Sequence, residues 1–122
     1  MRVADASVVS ALLFGEPRGA EAAQLLAGEE VAAPDLLPYE VASVCLKKMR
    51  RRPKDAERLL LAHRLLPRLS ITFHPVDHVA VLDLARESRL TTYDASYLWL
   101  ARRLGAELLT FDQRLGRAAA AD

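Results

Sequence analysis

Ala106-Glu107-Leu108-Leu109-Thr110-Phe111-Asp112 is a short apolar run that ends on a carboxylate. The start of the chain repeats the arrangement: Arg2-Val3-Ala4-Asp5-Ala6-Ser7 is again a short apolar run reaching an aspartate, followed by a helix-like segment from Val8 to Phe14. Two parallel strands that each deliver an acid at the carboxyl edge place both acids in one crevice, where open α/β sheets bind their ligands. Such a chain has the makings of a metal-dependent hydrolase, provided that further acids converge on the same edge.

The residues between these two runs alternate strand and helix patterns. After the loop Gly15-Glu16-Pro17-Arg18-Gly19, Ala20 to Leu26 reads as a short helix and Val31-Ala32-Ala33-Pro34 as a second buried strand. Asp35 to Tyr39 turns into a longer helix in which Val41, Val44, Cys45 and Met49 recur at helical spacing. Pro53 interrupts it, and Lys54 to Leu66 resumes as a helix that Pro67 ends. Leu69 to His74 alternates and is rich in β-branched and aromatic residues, as a third strand would be. Asp77 to Ser88 and Thr91 to Leu104 are helices, Gly105 is a stop, Glu107 to Phe111 is the fourth strand, and Asp112 to Ala120 closes the chain as a helix. This alternation predicts a single α/β domain over residues 1–122, with a mostly parallel sheet of four strands and helices on both faces.

Composition agrees with one domain, since 122 residues with 52% apolar content can bury one core and are too few for two. The formal charge of +1 neither demands nor excludes nucleic acid. Withdrawing four acids into a pocket changes the balance, because the remaining surface then carries 17 basic groups against 12 of the 16 acids. A lone cysteine, Cys45, cannot form an internal disulfide and fits a reducing compartment, with a core position as its expected role. The amino terminus lacks the small-residue cleavage site of a signal peptide, and no apolar stretch approaches the roughly 20 residues that cross a bilayer. A cytoplasmic location without membrane contact is the expectation.

Two further acids complete the set. Glu40 follows the second strand in the first turn of its helix, and Asp94 lies in the first turn of the helix that leads into the last strand. Each of the four has an ordinary explanation: Asp5 and Asp112 suit N-caps, Thr91-Thr92-Tyr93-Asp94 matches a capping box, and acids in first turns are favoured by the helix dipole. Four at one sheet edge is different, because like charges destabilise one another unless a cation joins them. An oxygen-only set with room for water suits Mg²⁺ or Mn²⁺, which activate water and stabilise in-line displacement at phosphorus.

These residues also carry a resemblance. Val3-Ala4-Asp5-Ala6-Ser7-Val8, Pro38-Tyr39-Glu40-Val41, Thr92-Tyr93-Asp94-Ala95-Ser96-Tyr97-Leu98-Trp99-Leu100-Ala101 and Leu108-Leu109-Thr110-Phe111-Asp112-Gln113-Arg114-Leu115 resemble, in order, the four acidic motifs of the PIN domain, and more narrowly those of the VapC toxin ribonucleases of prokaryotic toxin–antitoxin modules. The resemblance implies a three-layer α/β/α domain and a Mg²⁺- or Mn²⁺-dependent endoribonuclease, inhibited by a cognate antitoxin protein and commonly a homodimer. It carries Asp5, Glu40, Asp94 and Asp112 over as the catalytic and metal-binding acids, and Ser7 and Thr110 as hydroxyls that support them. The family's usual fifth strand, after the last helix, has no evident counterpart before Ala121-Asp122, so the sheet is expected to hold four strands with the fifth left open.

Other residues are read more plainly. Lys47, Lys48, Arg50, Arg51, Arg52 and Lys54 form a dense basic run, which is either a solvated helix end or a contact for the RNA backbone. His74 and His78 are separated by Pro75, which keeps them from sharing a helix face as metal ligands. Helical stepping puts Tyr93 and Tyr97 on the apolar face of their helix and Trp99 nearly opposite, exposed or covered by a partner. Two rivals stand beside the nuclease. One is a phosphatase-like hydrolase with Asp5 as nucleophile, against which Ser7 in place of a second Asp counts; the other is a PIN-like binding module without catalysis.

Overall fold

The computed structural model describes residues 1–121. Four strands form one sheet, β1 (Arg2–Ala4), β2 (Val31–Pro34), β3 (Ile71–His74) and β4 (Glu107–Leu109). Their order is β3-β2-β1-β4 and every pair is parallel, with Val3 opposite both Ala32 and Leu108. Parallel pairing needs crossovers, and six helices supply them in pairs, α1 (Ala6–Leu13) with α2 (Gly19–Leu26), α3 (Leu37–Arg51) with α4 (Ala56–His63) and α5 (His78–Ser88) with α6 (Thr92–Leu104); α7 (Gln113–Ala120) follows the last strand. The result is the expected three-layer arrangement, and among the described residues the sheet stops at four strands.

The topology fixes where function can sit. The chain steps from β1 outward to β2 and β3, then returns to the other side of β1 for β4, so the order reverses at the carboxyl end of β1. That reversal opens a crevice at this edge. The inner strands are buried apart from Arg2 at the start of β1, with Val3, Ala4 and Ala33 wholly inaccessible, as small apolar runs require in a sheet covered on both faces. β3, at the sheet margin, keeps Thr72 and Phe73 exposed.

Several boundaries differ from those expected, each for a local reason. α1 begins at Ala6 rather than Val8, because Asp5 caps it. β4 ends at Leu109 rather than Phe111, because the N–H groups of Phe111 and Asp112 leave the ladder and donate to the hydroxyls of Ser7 and Thr110. α4 is confined to Ala56–His63 by proline-containing 3₁₀ turns at Pro53–Asp55 and Leu66–Leu69, and the second of these takes Leu69 out of β3.

α6 corrects the reading of its own faces. It packs on β1, β2 and β4 as well as on α5 and α7, so it is buried nearly all round rather than along one stripe. Trp99 is half-buried against the core with Arg103 over its ring at 6.0 Å, instead of exposed. Tyr93, placed by helical stepping on the apolar face, is 62% exposed in the first turn of α6, where Thr91 and Thr92 are exposed as well. Cys45 is buried in the core as expected, with its thiol pushed up by desolvation.

Candidate active site

The crevice at the carboxyl edge is assembled from four segments. Asp5 terminates β1, Glu40 lies in the first turn of α3 after β2, Asp94 in the first turn of α6, and Asp112 just after β4. Asp5 is the best anchored and 5% exposed. Its Oδ1 accepts from the backbone N–H groups of Ser7 (3.0 Å) and Val8 (3.2 Å) and from the Ser7 hydroxyl (2.6 Å), while its Oδ2 accepts a short bond from the Thr110 hydroxyl. Ser7 Oγ in turn accepts from Phe111 N–H at 2.9 Å, and Thr110 Oγ1 from Asp112 N–H at 3.0 Å. A closed ring of hydrogen bonds thus ties the end of β1 to the turn after β4, and the hydroxyls of Ser7 and Thr110 both belong to it.

The other acids are held differently. Asp112 caps α7, its Oδ2 accepting from Leu115 N–H at 2.8 Å. Glu40 Oε1 accepts from the Tyr97 hydroxyl at 2.6 Å, a bond that crosses from α6 to α3. Asp94 N–H donates to the Thr91 cap at 3.0 Å, yet its carboxylate accepts no hydrogen bond among the described residues. The capping reading therefore holds for Asp5 and Asp112 and accounts for half of a capping box at Asp94.

Electrostatics separates a mere set of caps from a pocket. Desolvation is the largest influence on Asp5, Glu40 and Asp94 and raises all three from their ordinary carboxyl values. For Asp5 the hydrogen bonds from Ser7, Thr110 and Val8 offset part of that rise. Asp94 is raised further by the charges of Asp112 and Asp5 and lowered somewhat by Arg114, and Glu40 is raised further by Asp94 and Asp5. Glu40 and Asp94 therefore feel the charges of the neighbouring acids. Among the described residues none of them forms an ion pair. An uncompensated acidic cluster of this kind calls for a cation.

The donor chemistry fits a hard divalent ion, since every available ligand is a carboxylate oxygen. Among the described residues, however, no group of three or more His, Cys, Asp or Glu side chains is arranged so that it could hold a metal ion. Three of the carboxylates are instead engaged with protein donors, Asp5 with Ser7 and Thr110, Glu40 with Tyr97 and Asp112 with Leu115.

Tyr97 is the site residue that sequence reasoning missed. Helical stepping places it on the apolar face, and with 1% exposure it is indeed buried, but its hydroxyl reaches the crevice. Its place three residues after Asp94 carries the ring from the crevice into the core, a hint that apolar periodicity conceals. Replacing Tyr97 with Phe is expected to lower activity about tenfold and shift the acidic limb of the pH–rate profile upward, since the hydrogen bond lowers the Glu40 pKa. An unchanged profile would confine Tyr97 to packing.

The basic run divides. Lys48 is paired with Glu16, whereas Lys47, Arg50, Arg51 and Arg52 are not in ion pairs with described residues, and Arg52 caps the end of α3. They lie in the second half of α3 or, for Arg52, just past its end, on the stretch that leads away from the crevice that Glu40 enters at its start.

Comparison with known proteins adds the family. The PIN domain matches residues 2–121. A VapC ribonuclease of Mycobacterium bovis, Mb0985, is 37% identical over 94% of this chain and 88% of its own length. Ribonuclease VapC3 of Pyrobaculum aerophilum is 32% identical over 93% of this chain and 90% of its own. The crystal structure of PAE2754 from Pyrobaculum aerophilum superposes with a TM-score of 0.77 at 24% identity, covering 96% of this chain and 83% of that one, a likeness of fold.

Proposed function

The chain belongs to the PIN domain family, and on that premise we propose that it is an endoribonuclease that hydrolyses RNA phosphodiester bonds, the toxin of a type II toxin–antitoxin pair. The observation that supports the reading most directly is the convergence of Asp5, Glu40, Asp94 and Asp112 from four segments on one sheet edge, where none of them has an ion pair among the described residues. The phosphatase alternative is weakened by Ser7, whose hydroxyl is engaged with Asp5 and Phe111. A module without catalysis has no use for a cluster that desolvation and repulsion make costly.

In this proposal Asp5, Asp94 and Asp112, with Glu40 completing the pocket, hold Mg²⁺ or Mn²⁺. Such an ion supplies Lewis-acid polarisation of the phosphodiester and lowers the pKa of water. The chain's own residues do the rest. Ser7 and Thr110 fix both oxygens of Asp5, so that this carboxylate is preorganised. Glu40, steadied by Tyr97, is placed to orient the attacking water and accept its proton, a role suited to a carboxyl raised from its ordinary value. The Asp94 carboxylate, which accepts no protein hydrogen bond among the described residues, is free to turn toward a ligand. Cleavage of single-stranded RNA that requires Mg²⁺ or Mn²⁺ and stops with chelator tests the assignment; chelator-resistant cleavage, or a trapped aspartyl-phosphate, would overturn it.

Lys47, Lys48, Arg50, Arg51 and Arg52 are proposed as contacts for the RNA backbone. Neutralising Arg50, Arg51 and Arg52 together is expected to weaken RNA binding and reduce its salt slope by about 2, at about 0.7 per phosphate contact on a single strand. An unchanged slope returns the run to a solvated helix end. The family also implies a cognate antitoxin and a homodimer, for which Val79 (71% exposed) and Leu82 (53%) offer apolar surface on α5. Among the described residues no helix is long and apolar enough to cross a membrane, and a cytoplasmic location is proposed.

A further inference from the structure

Two of the chain's three tyrosines stand exposed at the carboxyl edge of the sheet. Tyr39 is 80% exposed and precedes Glu40 in the first turn of α3; Tyr93 is 62% exposed and precedes Asp94 in the first turn of α6. Among the described residues neither phenol has a hydrogen-bond partner, neither ring lies under a cation, and neither belongs to the hydrophobic core. The packing of the fold therefore has no use for them.

The third tyrosine shows how the two are placed. Tyr97 donates to Glu40 at 2.6 Å and so ties α6 to the first turn of α3. Tyr93 lies four residues before Tyr97, which puts it on the same helix face and about 6 Å of rise nearer the start of α6. It stands on the side of α6 that meets α3, where Tyr39 adjoins Glu40, the other partner of that bond. One exposed aromatic is ordinary on a protein surface. Two that separate helices bring to either side of one bond, each next to an acid of the crevice, form a wall.

Charge at this wall is unfavourable to a polyanion. Asp5, Glu40, Asp94 and Asp112 surround the crevice, and Arg114, exposed in the first turn of α7, is the cation whose charge reaches Asp94. The basic run is remote, with Arg50 ten residues beyond Glu40 on α3, about 15 Å of helix rise. Nucleotides beside the acids must therefore be held by something other than charge.

Resting on the nuclease reading above, we propose that Tyr39 and Tyr93 are the positioning residues for the strand, each stacking one unpaired nucleobase next to the scissile phosphate. Every base presents a π-face, and stacking on exposed aromatic rings holds single strands without help from phosphate contacts. The phenol hydroxyls stay in water while the rings are covered, so neither ring needs a pocket. A protein partner can also use exposed tyrosines. Place favours RNA, because a strand that brings a phosphate to Glu40 and Asp94 lays its neighbouring nucleotides on the wall these rings occupy.

The test uses the full chain with Mn²⁺. Total cellular RNA locates the bond that wild type cleaves, and single-stranded oligonucleotides spanning it serve as probes, intact or with the base removed at one position at a time. Tyr39→Ala and Tyr93→Ala should each lower kcat/KM on the intact probe about tenfold, in keeping with loss of one stacked base. Phe in either place should restore it, since the ring and not the hydroxyl stacks. For each tyrosine, removal of one particular base should cost wild type about tenfold and the Ala variant almost nothing more, the signature of direct coupling between ring and base. Melting curves confirm folding, which both exposed positions should tolerate. If wild type cleaves no RNA, the nuclease reading itself fails. If it cleaves, the stacking proposal alone is overturned when, for either tyrosine, the folded Ala variant keeps wild-type kcat/KM, the Phe variant fails to restore it, or the effects of base removal and Tyr→Ala simply add at every position. Ala variants that lose capture of a protein inhibitor while cleaving as wild type does would assign the wall to a protein and overturn it equally.

Discussion

Asp5→Asn is expected to abolish RNA cleavage, by about a hundredfold or more, while leaving the protein folded. The expectation follows from the two jobs that Asp5 performs with different atoms. Oδ1 caps α1 by accepting from the N–H groups of Ser7 and Val8, and an Asn oxygen does this nearly as well. The negative charge is what Asn removes, and if Asp5 is the direct ligand proposed above, its loss should exceed the 10–100-fold cost of losing an outer-shell partner. The amide nitrogen then faces Thr110, whose hydroxyl must rotate to accept. Asp5→Ala provides the contrast. It removes cap and charge together and should cost about 0.5–2 kcal/mol of stability besides activity. Rates and melting temperatures of the two variants separate the roles. An active Asp5→Asn would remove Asp5 from the chemistry, and an unfolded one would mean that capping is its main purpose.

The second large effect concerns pH and metal together. Asp5, Glu40 and Asp94 all have folded-state pKa values above their ordinary 3.8 to 4.5, so between those values and the raised ones the folded chain binds more protons than the unfolded chain. Stability from these groups is therefore present at low pH and lost as pH rises through that window, the reverse of the usual contribution of a paired carboxylate. A divalent ion that binds only the folded, deprotonated site should restore it at neutral pH. At a concentration of 100 Kd this contributes about 2.7 kcal/mol, or a melting shift on the order of 10 °C for a domain of this size. The shift should fade as pH falls through the raised pKa values of these carboxyls, where protons compete for the same oxygens. Thermal melts across pH, with and without Mn²⁺, measure both effects, and a metal-induced shift that ignored pH would place the ion elsewhere. Asp94→Asn is expected to raise the stability of the metal-free protein at neutral pH, since the Asp94 carboxylate has no protein hydrogen bond among the described residues to lose and a repelling neighbour to remove.

Much of the candidate site proposed here was legible because its acids sit on chain-local signals. A short apolar run that ends on Asp marks both a strand end and a helix cap, and this is how Asp5 and Asp112 are used. Glu40 and Asp94 were legible as first-turn acids for the same reason. Boundaries were less so. The chain leaves β4 at Leu109 because Ser7, more than a hundred residues away, accepts the N–H of Phe111, and no local pattern records that bond.

What the sequence determines by itself is the alternation of apolar runs with helical periods, the parallel sheet that follows from it, and the delivery of acids to one edge. Each of these depends on residues close together in the chain. The tertiary structure decided the rest. It buried Tyr97 and turned its hydroxyl onto Glu40, it surrounded α6 so that Trp99 became half-buried, and it brought Arg18 over Phe111. These contacts join segments separated by the crossovers of the sheet. Their partners are chosen by how α1, α3 and α6 pack, a matter of shape that one-dimensional periodicity does not carry.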